Sequence, residues 1–376
     1  MKIAHVCQYF KPAICGVGSV VYELARRQVQ LGHEVYVFTS DYDKNERIAQ
    51  KEIIIDGIKV VRNTYWLKLS KFATLWPAVF PKLLQHKFDI IHSHSFGHPH
   101  VLLAGLAAKL SGAKHIHSTH YPWTALRSNL AKRLMSKYYY AYSPIFNLIT
   151  DRILLLAKSE QPFLKKYKIR CKMNVLPNGA SSEYFKLGQN QPTKHKIKSI
   201  LFVGRLCPTK GVDLLAQAAV EICSKRKDIV FIFAGPDEGL KDKIEGIIKG
   251  CDKIKLMGRV TETEKMDLLK NSYMFVLPSR REGLPLVLIE AMAAGKPIVT
   301  SGVDGIASVA KDKINCLLFN KNDAIDLGAK IELLLDNPKL ANKLAQNNRK
   351  KAMQHDWDII VEELQNIYGD KNEEIF

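Results

Sequence analysis

The sequence lacks any apolar run long enough to cross a bilayer as a helix. Such a helix needs about 20 consecutive apolar residues, and the two longest candidates, residues 101–108 and 284–294, are much shorter. The N-terminal residues also differ from a secretory leader, because the apolar stretch 3–6 contains His5 and gives way at once to polar Gln8. We therefore expect a soluble protein of the cytoplasm.

Cysteine is sparse, and its spacing fits neither a disulfide framework nor a cysteine zinc site. The seven cysteines are scattered, odd in number and contain no CxxC pair. A histidine-rich stretch has the His-x-His spacing of some metal sites, but no Asp, Glu or Cys accompanies it. Its histidines are His92, His94, His98 and His100. We expect no metal there and no cofactor, although His94 could line an acceptor site.

Acidic residues are almost absent between positions 57 and 150, where only Asp89 occurs. The same stretch holds twelve basic residues, in a chain whose net charge is +19. They are Lys59, Arg62, Lys68, Lys71, Lys82, Lys87, Lys109, Lys114, Arg127, Lys132, Arg133 and Lys137. Such an uneven charge favours an anionic partner, with an ordinary solvated surface as the alternative.

Aromatic residues are interleaved with this basic stretch, a combination that suits a membrane interface with anionic lipids. They are Tyr65, Trp66, Phe72, Trp76, Tyr121, Trp123 and Tyr138, Tyr139 and Tyr140. We expect peripheral contact with an anionic membrane through the basic 57–150 region. Nucleic acid is the other anionic partner of such surfaces, but no nucleic-acid-binding motif is present.

Apolar material is plentiful, with 47% hydrophobic residues in a chain of 376, enough for about two domains. Strand patterns at 2–8, 34–39, 88–93 and 114–118 alternate with helical patterns such as 20–31. A polar linker at 188–198 follows, and the alternation restarts with strands at 199–203, 229–234, 273–277 and 297–300. This predicts an α/β protein with two doubly wound parallel sheets, in domains 1–187 and 198–356, which bind ligands at the carboxyl ends of strands.

Residues 278–295 are the most informative segment. A strand ends at Leu277, a short loop holds Glu282 and Gly283, and Pro285 suits the first turn of a helix. The free N–H groups and the dipole at that helix start favour an anion such as a diphosphate. The carboxylates of Glu282 and Glu290 can accept hydrogen bonds from sugar hydroxyls. Alternatively, Glu290 is a helix residue paired with a lysine.

This segment resembles the E-x7-E signature of the retaining glycosyltransferases of family 4, which have two Rossmann-like domains. The glycine loop around Gly16 and the basic loop from Gly204 to Gly211 are also similar to that family. So are the segments 177–179, 234–237 and 256–258, and the resemblance spans nearly the whole chain. Cys15 stands where the family often has glycine.

The resemblance implies the GT-B fold, in which two Rossmann-like domains face each other across a cleft and a C-terminal helix, here 357–376, packs back on the first domain. It also implies transfer of a hexose or N-acetylhexosamine from a UDP- or GDP-sugar to a glycan or lipid-linked acceptor, with retention and without a metal. A nucleotide-sugar epimerase or hydrolase of the same fold is the alternative, and a polyanion-binding protein is a remote one.

The resemblance further implies roles for individual residues. Arg205 and Lys210 would neutralise the donor diphosphate, and Glu282 would bind the sugar hydroxyls. Glu290 would bind the ribose, and His120 would approach the donor sugar at the end of a strand. Further donor contacts are expected from Gly16, Gly204, Gly258, Arg259, Val260, Gly283, Leu284 and Pro285.

Overall fold

The computed structural model describes residues 1–13, 15–43, 46–70, 73–120, 129–187 and 197–369. It divides the chain into two compact units, Met1–Pro177 with Asp358–Phe376, and Asn178–Trp357. The first unit thus ends at Pro177, earlier than the predicted boundary at 187. The reason is that the helix Ser182–Leu187 packs in the second unit, where Tyr184 donates a hydrogen bond to Glu262. Most of the predicted linker, 188–196, lies outside the described residues.

The first unit is built on an eight-stranded sheet. Its elements are β1 (Lys2–Cys7), α1 (Gly16–Gln30), β2 (Glu34–Ser40), β3 (Tyr42–Asp43), β4 (Glu46–Arg47), β5 (Glu52–Ile55), β6 (Ile58–Asn63), β7 (Leu67–Ser70), β8 (Ala73–Leu75), α2 (Val79–Leu84), β9 (Ile90–His94), α3 (Pro99–Ser111), β10 (Lys114–Ser118), α4 (Asn129–Ile149), β11 (Arg152–Leu155), α5 (Gln161–Lys166) and β12 (Lys172–Val175). The strand order is β12-β11-β10-β9-β1-β2-β6-β5, and all neighbours are parallel except β5 and β6.

Helix α1 begins at Gly16, earlier than the start at position 20 that apolar spacing predicts. Cys15 is the N-cap, and its Sγ accepts a hydrogen bond from the backbone N–H of Gly18 at 3.1 Å. A thiol is a weak acceptor and an uncommon N-cap. Because position 15 is not Ser, Thr, Asp or Asn, the sequence gives no ordinary capping signal for the start of this helix. Gly16 therefore lies in the first turn of a helix rather than in an open loop.

The second unit contains a six-stranded, fully parallel sheet. Its elements are α6 (Ser182–Leu187), β13 (Lys198–Val203), α7 (Val212–Lys225), β14 (Ile229–Ala234), α8 (Lys241–Ile248), β15 (Ile254–Gly258), α9 (Glu262–Asn271), β16 (Met274–Leu277), α10 (Leu286–Ala293), β17 (Ile298–Ser301), α11 (Asp304–Ala307), β18 (Leu317–Phe319), α12 (Ala324–Asp336) and α13 (Pro338–Ala352). The order β15-β14-β13-β16-β17-β18 is the 3-2-1-4-5-6 order of a Rossmann sheet. Its central strand β16 is buried along its whole length, as expected where helices cover both faces.

The last helix, α14 (Trp357–Tyr368), belongs to the first unit from Asp358 onward. Asp358 accepts a hydrogen bond from Arg27 of α1 at 2.6 Å, and the Tyr368 hydroxyl is 2.7 Å from Nδ1 of His92 on β9. Ile360, Leu364 and Ile367 lie one turn apart and are buried, which gives the helix its apolar contact with the unit.

Among the described residues, none of the helices has both the length and the apolar character needed to cross a membrane. All seven cysteines lie in the described ranges and are free thiols.

Candidate functional site

The second sheet has its topological switch point between β13 and β16, where the chain reverses the direction in which it adds strands. Ligands of such sheets bind at the carboxyl ends of the strands beside this point. The loops after β13 and β16 lie against each other there, since the N–H of Arg280 donates to the carbonyl of Thr209 at 2.8 Å. Gly211 permits the approach: its φ is +65°, and a Cβ would lie 2.0 Å from the carbonyl oxygen of Pro278.

Lys210 and Glu282 meet at this switch point. Nζ of Lys210 is 2.5 Å from Oε1 of Glu282, and the hydroxyl of Ser279 donates to the same oxygen at 2.6 Å. Both charged side chains are largely buried. Two residues that sequence reasoning selected independently thus form one ion pair, and Ser279, which sequence reasoning missed, orients its carboxylate.

Glu290 lies inside α10 and is paired with Lys265 of α9 at 2.8 Å. Lys265 also lies 3.0 Å from Glu262. Burial is the largest single influence and lowers the pKa of Lys265, but the attraction and hydrogen bonds of Glu290 and Glu262 together outweigh it, so that the pKa is raised. The sequence left two interpretations of Glu290 open, a ligand-binding carboxylate and the partner of a lysine. In the structure its lysine partner is Lys265. Pro285 is the N-cap of α10, with ψ 129°, rather than a residue of its first turn.

Arg205 forms its ion pair with Glu238, whose Oε2 lies 2.5 Å from Nη1 of Arg205. Glu238 is largely buried, and sequence reasoning missed it. Arg205 follows the end of β13 and keeps about two fifths of its side chain exposed, so it remains accessible to an anion. The backbone at Gly204 is held by a bond from its N–H to the carbonyl of Ala234 at 2.9 Å.

The loop that holds Gly283 and Leu284 is fixed from two sides. A Cβ on Gly305 would lie 1.4 Å from the carbonyl oxygen of Gly283, so only glycine fits at position 305. Nδ2 of Asn178 donates to the carbonyl of Leu284 at 2.6 Å. Asn178 belongs to the segment 177–179 that resembles the family, and its hydrogen bond holds the loop before α10 in place.

The segment at the end of β15 is open. Gly258 has a left-handed φ of +66°, and its carbonyl accepts the N–H of Gly235 at 2.6 Å. Gly258 and Arg259 are exposed, and Val260 is half-buried. Because β13, β15 and β16 are parallel, these three residues lie at the same carboxyl edge of the sheet as Gly204 and Glu282. The sequence predicted a position directly after a strand for them.

In the first unit, His120 follows β10 with a left-handed φ of +48°. This conformation costs a non-glycine residue about 1–2 kcal/mol and is often found at functional sites. Its Nε2 is 2.8 Å from Nδ1 of His94, Nε2 of His94 is 3.0 Å from Nδ1 of His5, and Nε2 of His5 is 2.7 Å from Oε1 of Gln28. We call these four residues the histidine chain. Burial lowers the pKa of His5 and of His120 to about 4, so both are neutral at pH 7.

The only candidate metal group among the residues that the structure describes is His5, His92 and His94, whose ligand atoms lie within 4.8 Å of one another. All six ring nitrogens of these histidines are already hydrogen bonded, those of His92 to Tyr368 and Ser118. A metal would have to displace several of these bonds. His100, also part of the histidine-rich stretch, contacts the backbone carbonyl of His94 at 2.9 Å.

The basic stretch 57–150 is only partly a surface. Arg62 is buried and bonds to the backbone carbonyls of Gln50 and Lys11. Trp76 is also buried, in an apolar cluster with Phe38 and Phe88, so it is a core residue and not an interfacial one. Lys71, Phe72, Tyr121, Trp123 and Arg127 lie outside the described residues.

The 3-2-1-4-5-6 sheet, with charged residues gathered at its switch point, defines the second unit as a Rossmann-type ligand-binding domain. The first unit contains a second, mostly parallel sheet, and the chain as a whole has the α/β fold of the GT-B class.

Comparisons with known proteins agree with this class. Residues 14–184 match the family model described as Glycosyltransferase Family 4, and residues 186–351 match that of Glycosyl transferases group 1. The two matches are consecutive and span both units. The chain belongs to family 4 of the glycosyltransferases and is an enzyme of that kind.

Two curated relatives and one solved structure are similar to this chain. An Escherichia coli UDP-Gal:alpha-D-GlcNAc-diphosphoundecaprenol alpha-1,3-galactosyltransferase is 29% identical, over 78% of this chain and 78% of the relative. The GPI3 subunit of a Saccharomyces cerevisiae phosphatidylinositol N-acetylglucosaminyltransferase is 27% identical, over 83% of this chain and 70% of the relative. The structure of Anabaena HepE in complex with UDP has a TM-score of 0.76 at 17% identity, over 98% of this chain and all of HepE.

Proposed function

We propose that this glycosyltransferase moves a hexose or an N-acetylhexosamine from a UDP- or GDP-sugar to a lipid-linked or glycan acceptor, with retention of anomeric configuration. The observation that supports the proposal most is the pair of Lys210 and Glu282 at the switch point of the second sheet. A cation and a carboxylate side by side match the two parts of such a donor, its diphosphate and its hydroxylated sugar.

The four charged candidate residues of the second unit each have a part in this proposal. Lys210 turns from Glu282 to the diphosphate, and Glu282 is then free to accept hydrogen bonds from the sugar. Arg205 adds a planar fork for the phosphate oxygens. The carboxylate of Glu290, near the middle of α10, accepts hydrogen bonds from the ribose hydroxyls. The backbone of Gly283 and Leu284, at the positive end of the α10 dipole, completes the anion site.

The other donor contacts keep the roles that the family resemblance implies. Gly204 and Pro285 frame the two loops at the switch point. The backbone of Gly258, Arg259 and Val260 faces the base. In the first unit, Gly16 contributes backbone to the diphosphate and His120 contributes its imidazole to a sugar hydroxyl.

The proposed chemistry is a front-face displacement. The bond from the anomeric carbon to the diphosphate oxygen breaks, and a bond to the acceptor hydroxyl oxygen forms on the same face. The acceptor proton passes to the departing diphosphate oxygen. Arg205 and Lys210 stabilise the negative charge that develops on this leaving group, and such preorganised charges supply a large share of enzymatic rate enhancement. No step requires a metal.

Acceptor-dependent product formation tests the reaction. Purified protein is incubated with a panel of UDP- and GDP-sugars, with and without polyprenyl-diphosphate-linked sugars or phosphatidylinositol as acceptors. We expect product only with an acceptor, and proton NMR of the new linkage should show the anomeric configuration of the donor. Glu282→Gln should abolish transfer, while Glu245→Gln, at an exposed residue of α8, should not. Donor consumption without any acceptor would support the epimerase or hydrolase alternative.

We further propose that the enzyme works at an anionic membrane surface. The supporting feature is the exposed face of α4, where Leu130 and Leu134 are about three fifths exposed and alternate with exposed Arg133 and Lys137. Basic side chains near anionic lipid contribute about 1 kcal/mol each, and adjacent apolar side chains can enter the interface. Both named relatives with lipid acceptors, a diphosphoundecaprenol and a phosphatidylinositol, are consistent with this location.

Vesicle flotation tests the membrane proposal. The wild type should float with phosphatidylglycerol vesicles at low salt and not with neutral phosphatidylcholine vesicles. Leu130→Ser combined with Leu134→Ser should weaken flotation severalfold. Ile325→Ser, at a more exposed apolar residue of α12 in the second unit, serves as the matched control. Equal flotation of the double variant and the control would contradict the assignment of this face.

A further inference from the structure

The histidine chain joins the interior of the first unit to His120, which follows β10. It begins at Gln28 on α1, passes through His5 on β1 and His94 on β9, and ends at His120. Gln28, His5 and His94 are buried, and consecutive members are 2.7, 3.0 and 2.8 Å apart. All three contacts have the length of normal hydrogen bonds, so each needs one proton between its two atoms.

The proton positions along this chain depend on one another. A neutral imidazole has one N–H and one acceptor nitrogen, and each histidine of the chain uses at least one ring nitrogen within it. Oε1 of Gln28 can only accept, so Nε2 of His5 has the proton and Nδ1 of His5 accepts. It follows that His94 donates from Nε2 and accepts at Nδ1. His120 must then donate from Nε2, which leaves Nδ1 as an acceptor.

We propose that Gln28, His5 and His94 are positioning residues, which set the tautomer of His120 so that its Nδ1 accepts a hydrogen bond from a substrate hydroxyl. This rests on the proposed function for its substrate, since His120 is the residue assigned to a sugar hydroxyl there. Within the described residues, Nδ1 of His120 has no hydrogen bond, and His120 is only partly buried. The acceptor nitrogen is thus the one available to a ligand.

The orientation of the Gln28 amide sets the direction of the whole chain. Its Nε2 lies 3.5 Å from the hydroxyl of Tyr368 on α14, which in turn is 2.7 Å from Nδ1 of His92. A tyrosine hydroxyl that donates to His92 offers its lone pairs to the Gln28 N–H₂, and this keeps Oε1 turned toward His5. A reversed amide would reverse every bond of the chain and place a proton on Nδ1 of His120.

Neutral imidazoles are necessary for this arrangement, and the buried surroundings supply them. Burial lowers the pKa of His94 well below its ordinary value, and neighbouring histidines lower it further. The pKa values of His5 and His120 are lowered to about 4 for the same main reason. The chain therefore keeps a single proton per ring throughout the neutral range.

Nitrogen-15 NMR of the full chain with labelled histidine reads these tautomers directly. The His120 signals among the twelve histidines are assigned by their loss in a His120→Gln variant. In the wild type we expect a protonated, pyrrole-type Nε2 and an unprotonated, pyridine-type Nδ1. A protonated Nδ1 on wild-type His120 would overturn the proposal without the need for any further variant.

Gln28→Met removes the acceptor at the base of the chain with little change in size. We expect the two His120 nitrogens to become averaged between the tautomers, and kcat for transfer to fall by a factor of about three to ten, the value of one hydrogen bond. Gln365→Met is the matched control, because Gln365 makes a similar contact, at 3.0 Å, with His33 outside the chain. An unchanged His120 tautomer in Gln28→Met would overturn the proposal.

The same spectra separate this proposal from the proposed function. Addition of a bound UDP- or GDP-sugar should shift Nδ1 of His120 and leave its Nε2 type unchanged. If the tautomer responds to Gln28→Met while no donor shifts His120 and kcat stays constant, then the assignment of His120 to a substrate hydroxyl is wrong. In that case the internal ordering of the histidine chain still stands.

Discussion

Removal of Lys265 should expose how strongly the second unit depends on the partner of Glu290. Nζ of Lys265 and Oε2 of Glu290 are 2.8 Å apart, and the exposed fractions of the two side chains are only 15% and 10%. At an effective dielectric constant of 20, two unit charges at this distance attract by about 6 kcal/mol. The cost of desolvating both groups cancels much of this attraction, but Lys265→Met leaves the carboxylate of Glu290 buried without its cation. Because such a loss costs about 3–5 kcal/mol for a fully buried pair, we expect about 3 kcal/mol here.

Urea unfolding measures this loss. Circular dichroism gives the free energy of unfolding, and hydrogen exchange of peptides from α9 and α10 identifies the transition of the second unit. Lys241→Met is the control, because Lys241 and Glu245 form an exposed i,i+4 pair at 3.7 Å whose contribution should be below about 0.5 kcal/mol.

The double variant Lys265→Met with Glu290→Gln completes the cycle. A neutral amide at position 290 removes the stranded charge, so we expect the double variant to recover about 2 kcal/mol relative to Lys265→Met alone. The reasoning is refuted if Lys265→Met lowers the free energy of unfolding no more than Lys241→Met does. It is also refuted if the loss in the double variant equals the sum of the losses in Lys265→Met and Glu290→Gln.

Three further predictions concern catalysis and pH. Lys210→Ala should lower kcat/KM by about 10²–10³, the usual loss for one preorganised group at a developing charge, and Lys210→Arg should restore part of it in the same transfer assay. The pKa of His5 and that of His120 are lowered to about 4, so their stabilisation of the fold is present above about pH 6.5 and is lost as the pH falls. Between pH 7 and pH 5 the protonation of each should lower the free energy of unfolding of the first unit by about 2 kcal/mol. The described part of the second unit has His355 as its one histidine, so parallel urea titrations should show a smaller loss there. Burial raises the pKa of Glu160 from 4.5 to about 7, so its stabilisation is present below about pH 4.5 and is lost as the pH rises through 7. Glu160→Gln should therefore remove about 2 kcal/mol of pH dependence between pH 5 and pH 8, and a slope unchanged by this variant would show that Glu160 ionises normally.

The main architecture could be predicted from the sequence because strand and helix periodicities are strong in buried parallel sheets. The strands around Ile3, Val37, Ile91, Leu201 and Val276 all lie where alternation with helices predicts them. The small antiparallel elements between residues 42 and 75 could not be predicted, since two- to four-residue strands leave no periodicity to detect. The early start of α1 was missed because a cysteine caps it.

The candidate site was predictable as a set of residues but not as a set of contacts. Lys210 and Glu282 could be selected from motifs, yet their partners Ser279, Lys265 and Glu238 have no motif of their own. Lys265 on α9 meets Glu290 on α10 only in the folded unit, because the strand β16 separates the two helices in the sequence. The histidine chain could not be predicted from the sequence either, because its residues lie on α1, on β1, on β9 and after β10, and only the fold brings them together.

Titration calorimetry with nucleotide sugars tests the central claim most directly. The panel contains UDP- and GDP-linked hexoses and N-acetylhexosamines, and each is titrated into the wild type, Glu290→Ala and the Glu245→Gln control. The account predicts that at least one donor binds the wild type and the control, and that Glu290→Ala weakens the binding of that donor at least tenfold. Equal donor affinity of the wild type and Glu290→Ala would contradict the placement of the donor at the switch point of the second sheet.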